Sequence, residues 1–418
     1  MGTSIAMHTA KRTDPLSQPV VLFERRDLGA GSSGRSGAIL RQHYADAAVA
    51  RMARDSLRDY AGFEARTGRS VGFRRTGVLT LSGPKAAEAC ERIRKNVEML
   101  KSLGIETELV DEVAIQELVS DIEIEPGTIG AWEPDGGFVD PNRTITAFAA
   151  LARTSGAVTR LGEEVQEILI ENGKVVGAET SEGRYHTNKL CIVAGPWSKK
   201  LLEPLGIELP LRTIQPENHF VVMRDSDLLD EDAEEEARGP RESLSFDDIQ
   251  DPVERTAESN ARASLGLHPV IVDLEQSFYI RCEPKQRRTR LGRVDYEHDR
   301  ILDNPDDIGT NVSQELIDWT RASLKARMPS YADQADAGSE ASWYTMTPDA
   351  QPLIGPIPGI EGLYVVTGFS GHGFKLAPVI GAGVAQLLKD ERITTFEAEL
   401  FSPTRFKGNE SWTGRFGF

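Results

Sequence analysis

A chain of 418 residues with 48 basic and 65 acidic side chains, net charge −17 and 39% hydrophobic residues suits a globular protein of about two to three domains. No apolar stretch reaches the ~18–20 residues of a membrane helix, Met1 to Lys11 lacks the order of a secretory signal, and the expected address is cytoplasmic. Cys90, Cys191 and Cys282 are too few and too far apart for a disulfide framework or a CxxC metal site. Scattered Lys and Arg in an acidic chain exclude a nucleic-acid footprint, which leaves a small-molecule enzyme as the leading class.

The short, β-branched run at 19–24, bounded by polar turns, predicts a buried parallel strand. The region after Gly34 reads as helical, with helices at about 46–67 and 85–103. Asp140 caps a further helix to about 154, with Pro141 in its first turn. Residues 162–180 read as two strands joined at Asn172-Gly173, and 190–194 as a buried strand closed by Gly195-Pro196. Strands follow at 219–223, 270–273, 278–282 and 288–291, then a helix at 313–328. The last unit is a strand at 363–367, a glycine-rich turn and a helix at 374–388.

Alternation of strand and helix at both ends, around a mostly β middle, predicts an α/β (mixed α+β) fold. It has a discontinuous Rossmann-like domain and an inserted β-rich substrate domain. The nucleotide-type domain takes 1–75, 140–205 and 340–400; the substrate domain takes 76–139 and 206–339. Fourteen acidic against three basic residues between Asp225 and Glu258 hold −11 of the −17 charge. Such a stretch, poor in large apolar residues, predicts an exposed, mobile insertion at 225–265. The alternative is a docking surface for a basic partner.

Gly29-Ala-Gly31-Ser-Ser-Gly34 matches GxGxxG, but the strand ending in an acidic residue that should follow ~20 residues later is lacking. Glu24 suits a ribose better, because it ends a strand. Its own glycines belong ~20 residues upstream, where Met1 to Ala10 reads as the second half of such a motif with Gly2 as its third glycine. The expectation is a chain that begins partway through that motif; an N-terminal segment with no cofactor role is the alternative. Gly368, Gly371 and Gly373 before a helix allow close backbone approach and turn a helix N-terminus toward an anion.

Glu24-Arg25-Arg26, Gly31 to Arg41, Gly136 to Pro141, Val193 to Ser198, Thr347 to Gly355 and Gly368 to Lys375 together resemble the FAD-dependent D-amino-acid oxidase superfamily. The nearest branch is that of glycine oxidase, sarcosine oxidase and sarcosine oxidase beta-subunit-like proteins. The resemblance covers nearly the whole chain apart from the acidic stretch. It implies an FAD-dependent oxidoreductase acting on the C–N bond of a small amino acid or N-methyl amino acid by hydride transfer to flavin N5. O2 or an electron carrier would be the acceptor.

By resemblance, Arg41 and Lys375 hold the substrate carboxylate, Arg290 stands where a lysine assists oxygen, and His372 sits beside the flavin turn. Cofactor contacts fall on Gly2, Glu24, Arg25, Ser32, Ser33, Ser36, Val165, Ala194, Gly195, Trp197, Tyr344, Gly371, His372, Gly373, Phe374 and Lys375. Ser342 replaces the cysteine of covalent members, implying non-covalent FAD, and Val294 replaces a histidine of the sarcosine oxidases. No metal is expected. The rival reading is a flavin-free paralogue or interaction subunit, in a possible hetero-oligomer, that uses the acidic stretch to bind a partner.

Overall fold

In the computed structural model, which describes residues 1–227, 266–296, 298–310, 312–406 and 412, two parallel strand pairs flank one cavity. Val21–Glu24 pairs with Val158–Leu161, and Leu190–Ile192 pairs with Leu363–Thr367, which also carries Leu353–Pro356 antiparallel. The helices Gly2–Ala10, Pro141–Thr154 and Gly373–Asp390 pack together beside these pairs. Gly381 permits the close crossing of the first and last helices: a Cβ there would lie 2.2 Å from Ser4 Oγ, which donates to Ala377 O at 2.7 Å. Ile5, Val379, Ile380 and Val384 seal one side of the contact; Ala6, Ala10, Ala147 and Phe148 seal the other.

A sheet of eight strands forms the second part. Its order is Asp336–Ala341, Glu217–Val222, Arg288–Arg293, Phe278–Glu283, Val270–Asp273, Val78–Ser82, Ile129–Glu133 and Glu108–Val110. Only Val270–Asp273 and Val78–Ser82 pair in parallel among these. Helix Gln314–Arg327 covers one face through Leu324 and Met328. The strand Ile129–Glu133 ends beside the segment Arg41–His43, because the Gln42 amide donates to Glu133 Oε1 at 2.6 Å. That bond ties the large sheet to the cavity region.

Local chemistry accounts for the boundaries. Asp46 caps Ala47–Ala61 by accepting from Ala48 and Val49, and Gly62 breaks the expected helix 46–67 before a short turn Phe63–Thr67. Asp140 caps Pro141–Thr154 by accepting from the Arg143 amide. Asn172 and Gly173 both take positive φ, as a two-residue hairpin turn demands.

Three expectations need correction. The strand at 19–24 starts at Val21 and is half-exposed rather than buried, since it borders the cavity. Gly34 is followed not by a helix but by a short 3-10 turn, Ser32–Arg35, and then Ile39–Leu40 paired with Gly137–Phe138. The acidic stretch at 225–265 does not begin exposed: Asp227 is fully buried, taking both donors of the Arg224 fork at 2.6 and 2.7 Å. Residues 228–265 lie outside the described residues. No helix among those described is long and apolar enough to cross a membrane.

Candidate active site

The cavity measures about 1450 Å³, above the roughly 300–1,000 Å³ of ordinary small-molecule pockets. It is large enough for a dinucleotide. Gly2 lines it from the start of the first helix, Glu24 and Arg25 from the end of the strand Val21–Glu24, and Ser32, Ser33 and Ser36 from the following turn. Val165, Ala194, Gly195 and Trp197 form another wall; Tyr344, Gly371, Gly373 and Phe374 form the remaining one. The fold therefore brings together fourteen of the sixteen cofactor residues expected from sequence. Lys375 and His372 sit just behind the lining.

Three helix starts face this space without side-chain caps: Gly2–Ala10, Ser32–Arg35 and Gly373–Asp390. Their amide donors and positive dipole ends suit an anionic or electron-rich group. At the last of them Gly371 has φ +87°, and a Cβ on Gly373 would lie 2.5 Å from the Phe369 ring. Glycine at both positions keeps the turn tight and its backbone open. Glu24 keeps one oxygen on the Arg26 amide at 3.0 Å and borders the cavity, as a ribose acceptor must. These features fit FAD.

Trp197 is a wall rather than core. Its Nε1 donates to Asp306 at 2.9 Å and its ring carries the Arg25 guanidinium at 4.3 Å. Arg25 in turn pairs with Asp306 at 2.5 Å, so three residues brace one another on the cavity edge.

Behind the Gly371–Phe374 wall lies a cluster of buried charge. Arg41, 5% exposed, rests over the Tyr44 ring at 4.2 Å and donates to the His43 carbonyl. Lys375, in the first turn of Gly373–Asp390, stands over the same ring at 5.8 Å and has no ion-pair partner among the described residues. A cation at a helix start opposes the dipole, and a bound anion compensates for it. Burial and the Arg41 charge push the Lys375 ammonium well below the usual lysine range. Burial, with Lys375 and Arg41, likewise holds His372 neutral, its ring edge-on to Tyr44 at 5.8 Å. Burial drives the Tyr44 phenol up to about 12, and its hydroxyl has no hydrogen-bond partner among the described residues.

Arg290 occupies a different setting. Only 3% exposed, it pairs with Glu283 at 2.6 Å and Glu340 at 2.8 Å, donates to the Arg35 carbonyl at 3.2 Å, and does not line the cavity. Burial opposes ionisation of Glu283, but Arg290, Arg281 and Arg288 outweigh it and hold that carboxyl down at about 2. The Arg290 charge is thus balanced within the protein. Val294 is core, and Ser342 is buried beside Trp343.

The sequence gives no sign that Asp227, His268 and Cys282 converge, yet their ligand atoms lie within 4.8 Å of one another. Asp227 is already committed to Arg224 and Tyr331, His268 Nδ1 is 2.6 Å from the Pro269 carbonyl, and burial raises the Cys282 thiol to about 12. That chemistry suits a structural network rather than a cation. Sequence reasoning also passed over Tyr44 and Glu133. A signal existed for Glu133, since a carboxylate closing the apolar run Ile129–Trp132 repeats the feature that singles out Glu24.

A dinucleotide-sized cavity between parallel strands, floored by uncapped helix starts and backed by a cation pair, defines a flavin-type oxidoreductase. The family model of the FAD dependent oxidoreductases (DAO) matches residues 1–387, and the chain belongs to that family. It is 27% identical over 390 residues to human (Homo sapiens) peroxisomal sarcosine oxidase, covering 91% of this chain and 87% of that protein. Among solved structures it is similar to L-proline dehydrogenase from P.horikoshii, with TM-score 0.80 at 23% identity, over 98% of this chain and 96% of that one. Glycine oxidase from Geobacillus kaustophilus gives TM-score 0.75 at 19% identity, over 97% and 96%. FAD is the cofactor of the family, and the chain is an FAD-dependent oxidoreductase.

Proposed function

We propose that this chain oxidises the C–N bond of a small amino acid or N-methyl amino acid, with FAD held non-covalently. The observation that carries the reading is the placement of Arg41 and Lys375 on one aromatic ring, immediately behind the uncapped start of Gly373–Asp390. Arginine offers a planar fork to a carboxylate and keeps its charge; lysine adds a second donor that gains its counter-ion on binding. Tyr44 fixes the spacing between them. With the carboxylate anchored there, the carbon bearing the amine faces the Gly371–Phe374 wall.

The chemistry a bound FAD supplies is acceptance of a hydride at N5. The residues do the rest by placement and field. Gly371 and Gly373 admit the ring close to the backbone, and the amides at the helix start stabilise negative charge that develops there. Tyr344 and Trp343 close the cavity opposite. Neutral His372 withholds a proton donor from the buried face. A substrate amine that arrives neutral needs no side-chain base: its lone pair forms the imine as the hydride leaves, and water then splits the imine. O2 or an electron carrier restores the cofactor.

The likeness to sarcosine oxidase, proline dehydrogenase and glycine oxidase supports this substrate class. The test is anaerobic mixing of the FAD-loaded protein with glycine, sarcosine and proline while visible absorbance is recorded. Bleaching by at least one is expected; a protein that takes up FAD but is bleached by no amino acid would refute the reading.

A further inference from the structure

Glu133 is the one carboxylate that shares the buried cluster with Arg41 and Lys375 among the described residues, and nothing in the reaction above uses it. It ends the strand Ile129–Glu133, is 0% exposed, and accepts the Gln42 amide on Oε1 at 2.6 Å. Oε2 has no hydrogen-bond partner among the described residues. A buried carboxylate with half of its acceptor capacity unused is poorly suited to permanent ionisation. Around it stand Arg41, neutral His43 and the Tyr44 phenol from one segment and Lys375 from the last helix; its register partner on the neighbouring strand is apolar Val78.

We propose that Glu133 is an internal counter-anion that the substrate carboxylate replaces: ionised, it balances Arg41 and Lys375, and on substrate entry it takes a proton and yields both cations to the incoming carboxylate. The inference rests on the carboxylate site proposed above. Two carboxylates cannot both ionise cheaply beside the same two cations in a buried pocket, and the protein's own group is the one able to change state. The proton comes from solvent and goes to Glu133, with no other bond made or broken. Burial pushes the Glu133 carboxyl up to about 7, against the Gln42 amide and the Arg41 and Lys375 charges, so the exchange falls within working pH. Below that value Glu133 is already protonated and binding takes up nothing. Above it each binding event draws a proton, and affinity falls about tenfold per pH unit.

The experiment binds propionate, which carries the carboxylate but no amine, to the FAD-loaded protein. Calorimetry in buffers of different ionisation enthalpy counts the protons at about pH 6 and about pH 8.5. Infrared difference spectra report where the proton goes. Expected are about one proton taken up at the higher pH and almost none at the lower, with a protonated-carboxyl stretch that appears on binding and is lost in Glu133→Gln. That variant mimics the protonated state and should bind propionate roughly ten- to thirtyfold more tightly than wild type at the higher pH, with a flat pH profile. A residue that merely supports the fold would instead give weaker binding with an unchanged pH slope. That result, binding without proton uptake, or a carboxyl stretch that persists in the variant would overturn the proposal. The proton count and the stretch are read on wild type, so they decide even where the variant does not fold. Failure of wild type to bind propionate at either pH overturns the carboxylate site itself, a result distinct from binding without uptake.

Discussion

The cavity wall and the charge cluster behind it handle their ligands by different physics, although Phe374 of one and Lys375 of the other are adjacent residues. Gly2, Gly31, Ser32, Gly371 and Gly373 present backbone amides and small side chains, half-exposed and uncharged. Arg41, Tyr44, Glu133, His372 and Lys375 are packed against one another with their titrations displaced or their charge unsolvated. The wall recognises by shape and by fixed dipoles, which pH does not alter. The cluster recognises by charge, and each member's state depends on the others. One region therefore tolerates changes that preserve the backbone; the other tolerates changes that preserve the charge balance.

Substitutions should separate the two. Arg41→Ala removes the fork from a buried pocket and should cost about 2–5 kcal/mol in kcat/KM for an amino acid, roughly thirtyfold to several thousandfold, while leaving FAD affinity within about twofold. Steady-state kinetics beside a flavin titration check both halves. Lys375→Met should cost about 1.5–3 kcal/mol in the same quantity, since one charged hydrogen bond is lost. If it weakened FAD more than substrate, the division drawn here would be wrong. Gly373→Val drives a side chain into Phe369 and should weaken FAD by about 1–3 kcal/mol, roughly five- to 150-fold, read by equilibrium dialysis. Trp197→Phe keeps the ring but loses the Asp306 bond. A loss of about 1 kcal/mol in FAD affinity, with substrate KM unchanged, is the smallest effect expected.

Legibility in the sequence follows the same division. Wall residues sit in contiguous motifs, so Glu24-Arg25, Ser32 to Ser36, Ala194 to Trp197 and Gly371 to Phe374 could be picked out by order alone. Turn and cap chemistry is equally local, which is why Asp140, Asn172 and Gly173 were readable. Tyr44 and Glu133 were not, because their importance comes from a non-local meeting: Glu133 ends a strand of the large sheet and reaches Gln42, 91 positions earlier in the chain. The charge balance of Arg290 is hidden for the same reason, since Glu283 and Glu340 join it only across neighbouring strands. The exposure of Val21–Glu24 was also hidden, because an apolar run reads as buried whether it faces core or a ligand cavity.

The most direct measurement compares the amino acid that bleaches the FAD-loaded protein fastest with the amine made by replacing its carboxylate with hydrogen. The two share the C–N bond to be oxidised and differ only in the group assigned to Arg41 and Lys375. Under anaerobic conditions wild type should be reduced by the amino acid at least about a hundredfold faster than by the amine, and Arg41→Ala should reduce that ratio to near one. Equal reduction of wild type by both compounds would contradict the account.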